Sequence, residues 1–352
     1  MHVLVIGQGI AGTWLSFFLE KAGITCTVID DAQPNSATRV ASGVINPVTG
    51  RQVAVTWQAN TVLPFAKRSY QQLGEQLGKN LLHENGIVSF PLVSQMEEAY
   101  HKKIKAGCTY VSLMEQDHNL KDFFNYQLAE MLIKPAFGIN LQQLLDSWRI
   151  KLQREGNLLD IAFEEEKLVI TNNGLLYRGI KCDYLFYCQG IGVSRSKYWK
   201  ALPFSLKKGE ALLVDIPELP KKFIYKFGNI TLVPWHTGHW WVGSTYEANF
   251  CNDNPTEAFR QKIDFFLQQT LKVPYSISGH LAAVRPATAE RRPFAGLHPI
   301  ENRIGILGGL GTKGVSLAPW LAWQICELLT NQRMIEPEVD VCRFKELLDN
   351  TA

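Results

Sequence analysis

The chain opens on a block of apolar, largely β-branched positions, His2 to Ile6, that ends at a glycine turn. From Ile10 to Ala22 the apolar residues fall at helical spacing (Ile10, Trp14, Leu15, Phe18, Leu19), and Gly23 closes the segment. Thr25 to Ile29 is a second continuous apolar run, closed by Asp30. Two uninterrupted apolar strands around one amphipathic helix predict a βαβ unit whose parallel strands are buried on both faces.

The middle of the chain is less regular. Ser36 to Arg51 reads as a loop rich in Gly, Ser, Asn and Pro, residues 61–80 and 94–106 as helices, and Leu141 to Gln153 as an amphipathic helix. Strands are predicted at Leu159–Phe163, Lys167–Thr171 and Asp183–Cys188, the last ending at Gly190. From Leu206 to about His280 the pattern changes to alternation, in residues 209–216, 229–234 and 239–243, with one helix at 256–270. Ile304 to Leu307 returns to a buried strand, followed by a glycine-rich stretch and a helix from Ser316 to Leu329.

The fold class this predicts is α/β: a Rossmann-like unit with a parallel sheet, plus a second α+β unit with an antiparallel sheet. The first is expected to be discontinuous, at residues 1–60, 135–205 and 295–352; the second takes 61–134 and 206–294.

Composition narrows the class. A length of 352 residues suits two cores, and 46% hydrophobic with 20% charged residues is ordinary globular usage. The net charge of +3 and scattered basic pairs such as Lys207-Lys208 and Arg291-Arg292 form no stripe for a polyanion. None of the seven cysteines makes Cys-x-x-Cys, and Cys26 and Cys188 fall in predicted buried strands. Reduced thiols in a cytoplasm are expected, with neither a disulfide framework nor a metal site. No apolar stretch reaches membrane-spanning length, and a first strand at His2 leaves no room for a signal peptide, so the expectation is a cytoplasmic protein off the membrane. Glu164, Glu165 and Glu166 read as a solvated turn.

The candidate chemistry begins at the first turn. Gly7, Gly9 and Gly12, with Gln8, Ile10 and Ala11 between them, stand at G-x-G-x-x-G spacing directly between strand and helix. Such a turn bends tightly at its first glycine, bares backbone to a pyrophosphate at its second and packs helix on strand at its third. The helix N-terminus turns N–H groups and a positive dipole to the phosphates. Asp30, eighteen residues after Gly12 at the end of the next strand, is placed to accept hydrogen bonds from a ribose diol. Together these predict a dinucleotide.

A similar turn, Gly309-Leu310-Gly311-Thr312-Lys313-Gly314, lies between strand and helix near the C-terminus. No acid follows it at the required distance, so it is not a second dinucleotide site. It returns the chain to the first unit, which favours FAD over a nicotinamide cofactor. Its N–H groups, with Lys313, would stabilise negative charge on a reduced flavin ring.

These motifs are similar to those of the D-amino-acid oxidase-like FAD oxidoreductases, which include glycine and sarcosine oxidases. The resemblance spans nearly the whole chain. It rests on the first turn with Asp30, on Ala41-Ser42-Gly43, on Val284-Arg285-Pro286-Ala287-Thr288, and on the C-terminal turn with Ala318-Pro319. Asn46-Pro47 and Arg292-Pro293-Phe294-Ala295-Gly296 look most like the FAD-oxidase half of a bifunctional enzyme that modifies tRNA wobble uridines. In that group an arginine usually stands where Lys313 does.

The resemblance implies non-covalent FAD and oxidation of the C–N bond of a small amino acid or N-substituted glycine, by hydride transfer to the flavin N5. It places Ser42 and Gly43 beside the diphosphate or flavin, Gly190 among the cofactor-binding positions and the 309–314 turn at the pyrimidine edge of the ring. It puts Arg285 on a substrate carboxylate, while Thr312 stands where glycine oxidase has a second arginine. Two alternatives remain: removal of the carboxymethyl group from a modified uridine in tRNA, and a flavoprotein that binds FAD without turnover.

Each candidate side chain also has a plainer reading. Arg285 follows an apolar stretch, so its charge is expected to be partly buried and paired, by a substrate carboxylate or by an internal acid such as Glu290. Lys313 serves reduced flavin or dioxygen, or simply faces solvent. Tyr246, after strand 239–243, reaches the ring or substrate, or packs. His236 is a proton relay or a structural histidine. Trp240 and Trp241 read as core and edge face.

Overall fold

A computed structural model describes residues 1–115 and 118–349 of the chain. A six-stranded sheet runs in the order Leu158–Leu159, Thr25–Ile29, His2–Ile6, Tyr184–Tyr187, Ile304–Gly308, Phe294–Leu297. Its first five strands are parallel and the last is antiparallel. Thus the strand just before the second glycine turn lies two places from the strand before the first. The helices that follow these turns, Ile10–Lys21 and Gly314–Asn331, pack on each other over the sheet, burying Trp14, Leu15, Ala318, Leu321 and Ile325.

An eight-stranded sheet forms the second layer, in the order Ser276–Arg285, Lys207–Asp215, Trp240–Gly243, Ile230–Pro234, Ile224–Phe227, Ile87–Phe90, Met131–Ile133, Val111–Leu113. Alternation assigns its faces. Leu212, Val214, Tyr225, Phe227, Leu232, Trp240 and Val242 face the helix Glu257–Thr270 in one apolar core. Ala211, Ile224, Val233 and Trp241 face the other way, onto Val48 and Val53 of the loop after the first unit. The functional face of this sheet is therefore the one turned toward the parallel sheet.

Several expectations need correction. Of the predicted Leu159–Phe163 strand only Leu159 pairs, in the two-residue strand Leu158–Leu159; Ile161 and Phe163 pack beneath the sheet without joining it. Strand Ile87–Phe90, between the helices Ala59–Leu77 and Ser94–Lys105, and strands Val111–Leu113 and Met131–Ile133, before Leu141, were not foreseen. The Ser36–Arg51 loop contains the short helix Ala37–Val40 and two-residue strands at Val44–Ile45 and Val48–Thr49. Glu165 is not solvated like its neighbours, because it accepts hydrogen bonds from Tyr187, Ser196 and the Lys197 amide. Trp241 is as interior as Trp240 and donates its indole N–H to the Val40 carbonyl at 3.0 Å. Among the described residues no helix is long and apolar enough to cross a membrane.

Candidate functional site: a dinucleotide cavity between the sheets

A cavity of about 800 Å³ runs between the two sheets. At one end it is walled by Gly7, Gly9, Ile10, Ala11 and Asp30, along its length by Ser42, Gly43 and Gly190, and at the other end by Gly311, Thr312, Gly314 and Arg285. Residues from both glycine turns, three hundred positions apart, thus wall one space. Gly12 and Gly309 lie behind the wall and shape it from outside. A Cβ on Gly12 would come within 1.8 Å of the Gly7 carbonyl oxygen, so no other residue lets the helix start this close to the turn.

The wall is bare where a pyrophosphate needs it. At Gly9 a Cβ would meet nothing nearer than Thr38 Oγ1, at 3.4 Å, and that hydroxyl accepts the Ile10 amide at 3.1 Å. Asp30 is held rigidly. Its Oδ2 accepts the Gln8 amide at 2.7 Å, and its Oδ1 accepts the Ala32 amide at 2.9 Å and Arg149 Nη1 at 2.8 Å. Arg149 also reaches Asp160 at 2.6 Å, tying the helix Leu141–Arg154 to the end of the second strand.

At the far end Arg285 is half-buried, and its guanidinium donates to the Thr245 carbonyl and to Ser244 Oγ, both at 2.9 Å. Burial makes its proton easier to lose than an ordinary arginine's, with Tyr246 opposing. Glu290 is not its partner; that carboxylate pairs with Arg343 at 3.3 Å. Among the described residues Arg285 makes no ion pair. The guanidinium lies over Gly209, where a Cβ would stand 2.1 Å from Nη2.

The other candidates separate. Tyr246 is exposed and does not wall the cavity, its ring 6.0 Å from both the Arg285 guanidinium and Lys207 Nζ. Lys313 neither walls the cavity nor faces open solvent: it turns under the neighbouring loop and donates to the Asn46 carbonyl at 3.2 Å. Burial, with the charge of Lys226 in support, lowers its pKa to about 8. His236 is exposed, stacks near Trp235 and does not reach the cavity. As a proton relay at this site it has no geometric support.

Comparison with known proteins agrees with this cavity. Residues 2–328 match the family described as FAD dependent oxidoreductase. The chain belongs to that family. It is 22% identical over 366 residues to glycine oxidase of Bacillus subtilis (strain 168), covering 95% of this chain and 94% of that one. It is also 22% identical over 361 residues to the tRNA 5-methylaminomethyl-2-thiouridine biosynthesis bifunctional protein MnmC of Marinobacter nauticus, covering 94% of this chain but 56% of that protein. The crystal structure of iminodiacetate oxidase from Chelativorans sp. BNC1 superposes with a TM-score of 0.78 at 17% identity, over 96% of this chain and 98% of that one.

As a member of the FAD-dependent oxidoreductases, the chain uses FAD, and its residues fit that group. A helix N-terminus, an unobstructed Gly9 and a fixed carboxylate meet at one end, and a second helix N-terminus meets the other. Three contributors escaped the sequence reading. Gly209 carried a signal, since a glycine inside an alternating strand marks close approach. Arg149 and Ser244 carried none, because each looks like an ordinary polar surface position.

Proposed function

We propose that this FAD-dependent oxidoreductase oxidises a small amine that bears a carboxylate, an amino acid or an N-substituted glycine. The observation carrying the reading is Arg285: a half-buried guanidinium at the cavity end, donating to neutral oxygens alone and without an acid among the described residues. A buried cation of this kind is costly until an anion joins it, and a planar guanidinium offers two parallel donors to a carboxylate. Glycine and iminodiacetate, the substrates in two relatives' names, are amines of this type.

The chemistry FAD supplies when bound is acceptance of a hydride from the carbon beside the amine nitrogen. The chain's own task is to hold that carbon in place. Arg285 fixes the carboxylate, Gly209 gives the guanidinium its seat, and Trp241 bounds the space between. FAD is held without a covalent bond on this reading. Cys188, the cysteine on the cavity wall, is kept as a thiol by burial, which raises its pKa.

The test is anaerobic reduction of the flavin by a panel of amino acids and N-substituted glycines, with loss of the visible flavin band as the readout. Arg285→Met should raise KM far more than it lowers kcat; a panel that leaves the band untouched overturns the proposal. A second reading takes a carboxymethylaminomethyl uridine in tRNA as substrate, supported by the MnmC match over 94% of this chain. Nucleoside analysis of a deletion strain, which should accumulate the uncleaved base, tests it.

A further inference from the structure

Alternation along the strand Lys207–Asp215 sends successive side chains to opposite faces of the eight-stranded sheet. Gly209, under the Arg285 guanidinium, and Ala211 face the cavity side. Lys208, Glu210 and Leu212 face the other way, toward the helix Glu257–Thr270 and the residues that lead into it. Lys208 and Glu210 are almost wholly buried, at 2% and 0% exposure. Their charged ends meet at 3.4 Å, and His280 Nε2 stands 3.0 Å from Glu210 Oε2. An ionised group sunk this deep answers to its partners and to nothing in solvent.

What the pair holds is the segment from Ser244 to Thr256, which starts on the cavity wall beside Arg285 and ends at the helix on the opposite face. Its near end supplies both acceptors of the Arg285 guanidinium, the Ser244 hydroxyl and the Thr245 carbonyl. That end is laced to the main chain of the strand. Thr245 Oγ1 accepts the Glu210 amide at 3.0 Å, and Lys208 and Glu247 exchange amide-to-carbonyl bonds at 2.9 Å. The far end is gripped by the buried side chains. Glu210 Oε2 accepts the Thr256 amide at 2.6 Å, Oε1 accepts the Thr256 hydroxyl at 2.9 Å, and Lys208 Nζ donates to the Asn254 carbonyl. Between the two grips Ala248, Asn249 and residues 251–255 are exposed, so packing does little to hold the segment.

An apolar pair would fill these two core positions at less electrostatic cost, because buried charges give up their hydration. What the charges add is direction: strong hydrogen bonds to main chain at a point where the segment has little else to hold it. We propose that Glu210, with Lys208, is a positioning residue for substrate binding: it clamps the segment 244–256 at both ends, which fixes Ser244 and Thr245 and through them the Arg285 guanidinium. The proposal rests on the Arg285 reading above. A guanidinium preset in this way has less freedom to lose when a carboxylate arrives, so cutting the clamp weakens carboxylate binding while Arg285 itself stays in place in the sequence.

The experiment measures acetate and propionate binding to the FAD-loaded protein by perturbation of the flavin spectrum, in wild type, Glu210→Gln, Arg285→Met and the double variant. Glu210→Gln keeps the shape of the side chain and removes its charge. It should bind both acids roughly tenfold more weakly, the scale of one charge-assisted hydrogen bond, with FAD content unchanged. In the Arg285→Met background, titrated at the higher acid concentrations it needs, the same substitution should change nothing further, since a positioning residue acts only through the group it positions. Losses that multiply in the double variant, or a Glu210→Gln affinity equal to wild type, overturn the clamp. If Arg285→Met alone leaves binding unchanged, it is the Arg285 reading that falls. Thr256 guards against a folding defect in Glu210→Gln, because it lies off the cavity wall. Thr256→Val removes the hydroxyl that Glu210 holds and should weaken acetate binding, whereas Thr256→Ser keeps it and should not. Equal affinities in these two variants also overturn the proposal.

Discussion

The guanidinium of Arg285 occupies the volume that a side chain on Gly209 would need, 2.1 Å from the position of its Cβ. The two residues lie on neighbouring antiparallel strands, with Gly209 opposite Ala283. Gly209→Ala is therefore expected to drive the guanidinium away from Ser244 and Thr245 while leaving the sheet register intact. Steric insertion in a packed site costs about 1–3 kcal/mol. KM for a carboxylate-bearing amine should rise about tenfold or more, with FAD content unchanged. Equal KM in wild type and variant would show that Arg285 does not hold the substrate.

Arg149 acts on the opposite end of the cavity. It fixes Asp30, whose other contacts are the Gln8 and Ala32 amides, and so presets the carboxylate for a ribose diol. Arg149→Met should weaken FAD binding by roughly tenfold, because the ordering of Asp30 then has to accompany binding. FMN, which lacks the adenosine, gives the control. Its affinity for the stripped protein should stay where it is. A parallel loss for FMN would mean that Arg149 merely supports the fold.

Much of this architecture is legible in the residue pattern, and the gaps have physical causes. Parallel strands buried on both faces are continuous apolar runs, so His2–Ile6, Thr25–Ile29 and Ile304–Gly308 announce themselves. Strands of three or four residues, such as Val111–Leu113 and Met131–Ile133, are too short to show a period. Ile161 and Phe163 were misread because burial alone makes a run apolar, whether or not it pairs. Arg285 was legible from the apolar residues before it.

His298 should make the fold sensitive to acid. Its Nδ1 accepts the Ile300 and Glu301 amides at 3.2 and 3.1 Å, and burial holds its pKa below the ordinary value. A protonated ring would lose that acceptor. As pH falls through about 6.5, the unfolded chain takes up a proton that the folded chain refuses, so stability drops on acidification, by at most about 1.4 kcal/mol per pH unit for one such histidine. His280 is shifted the same way by burial and adds to the slope. Urea midpoints at pH 7.5 and 5.5 measure it. His298→Asn, which keeps an acceptor without titrating, should show a shallower loss; an unchanged slope would exclude His298 as a source.

Lys313 acts on stability in alkali. With a folded pKa of about 8, it carries its charge below that pH and loses it as pH rises. The neighbouring cation Lys226 deepens the shift, and no carboxylate among the described residues opposes it. Between about 8 and 10.4 the unfolded chain binds more proton at this position than the folded chain, so Lys313 contributes stability that grows with pH across that window. Urea midpoints at pH 8 and pH 10 measure it. Lys313→Met, which carries no charge at either pH, should show a smaller rise between them. A rise that the variant leaves unchanged would exclude Lys313 as its source.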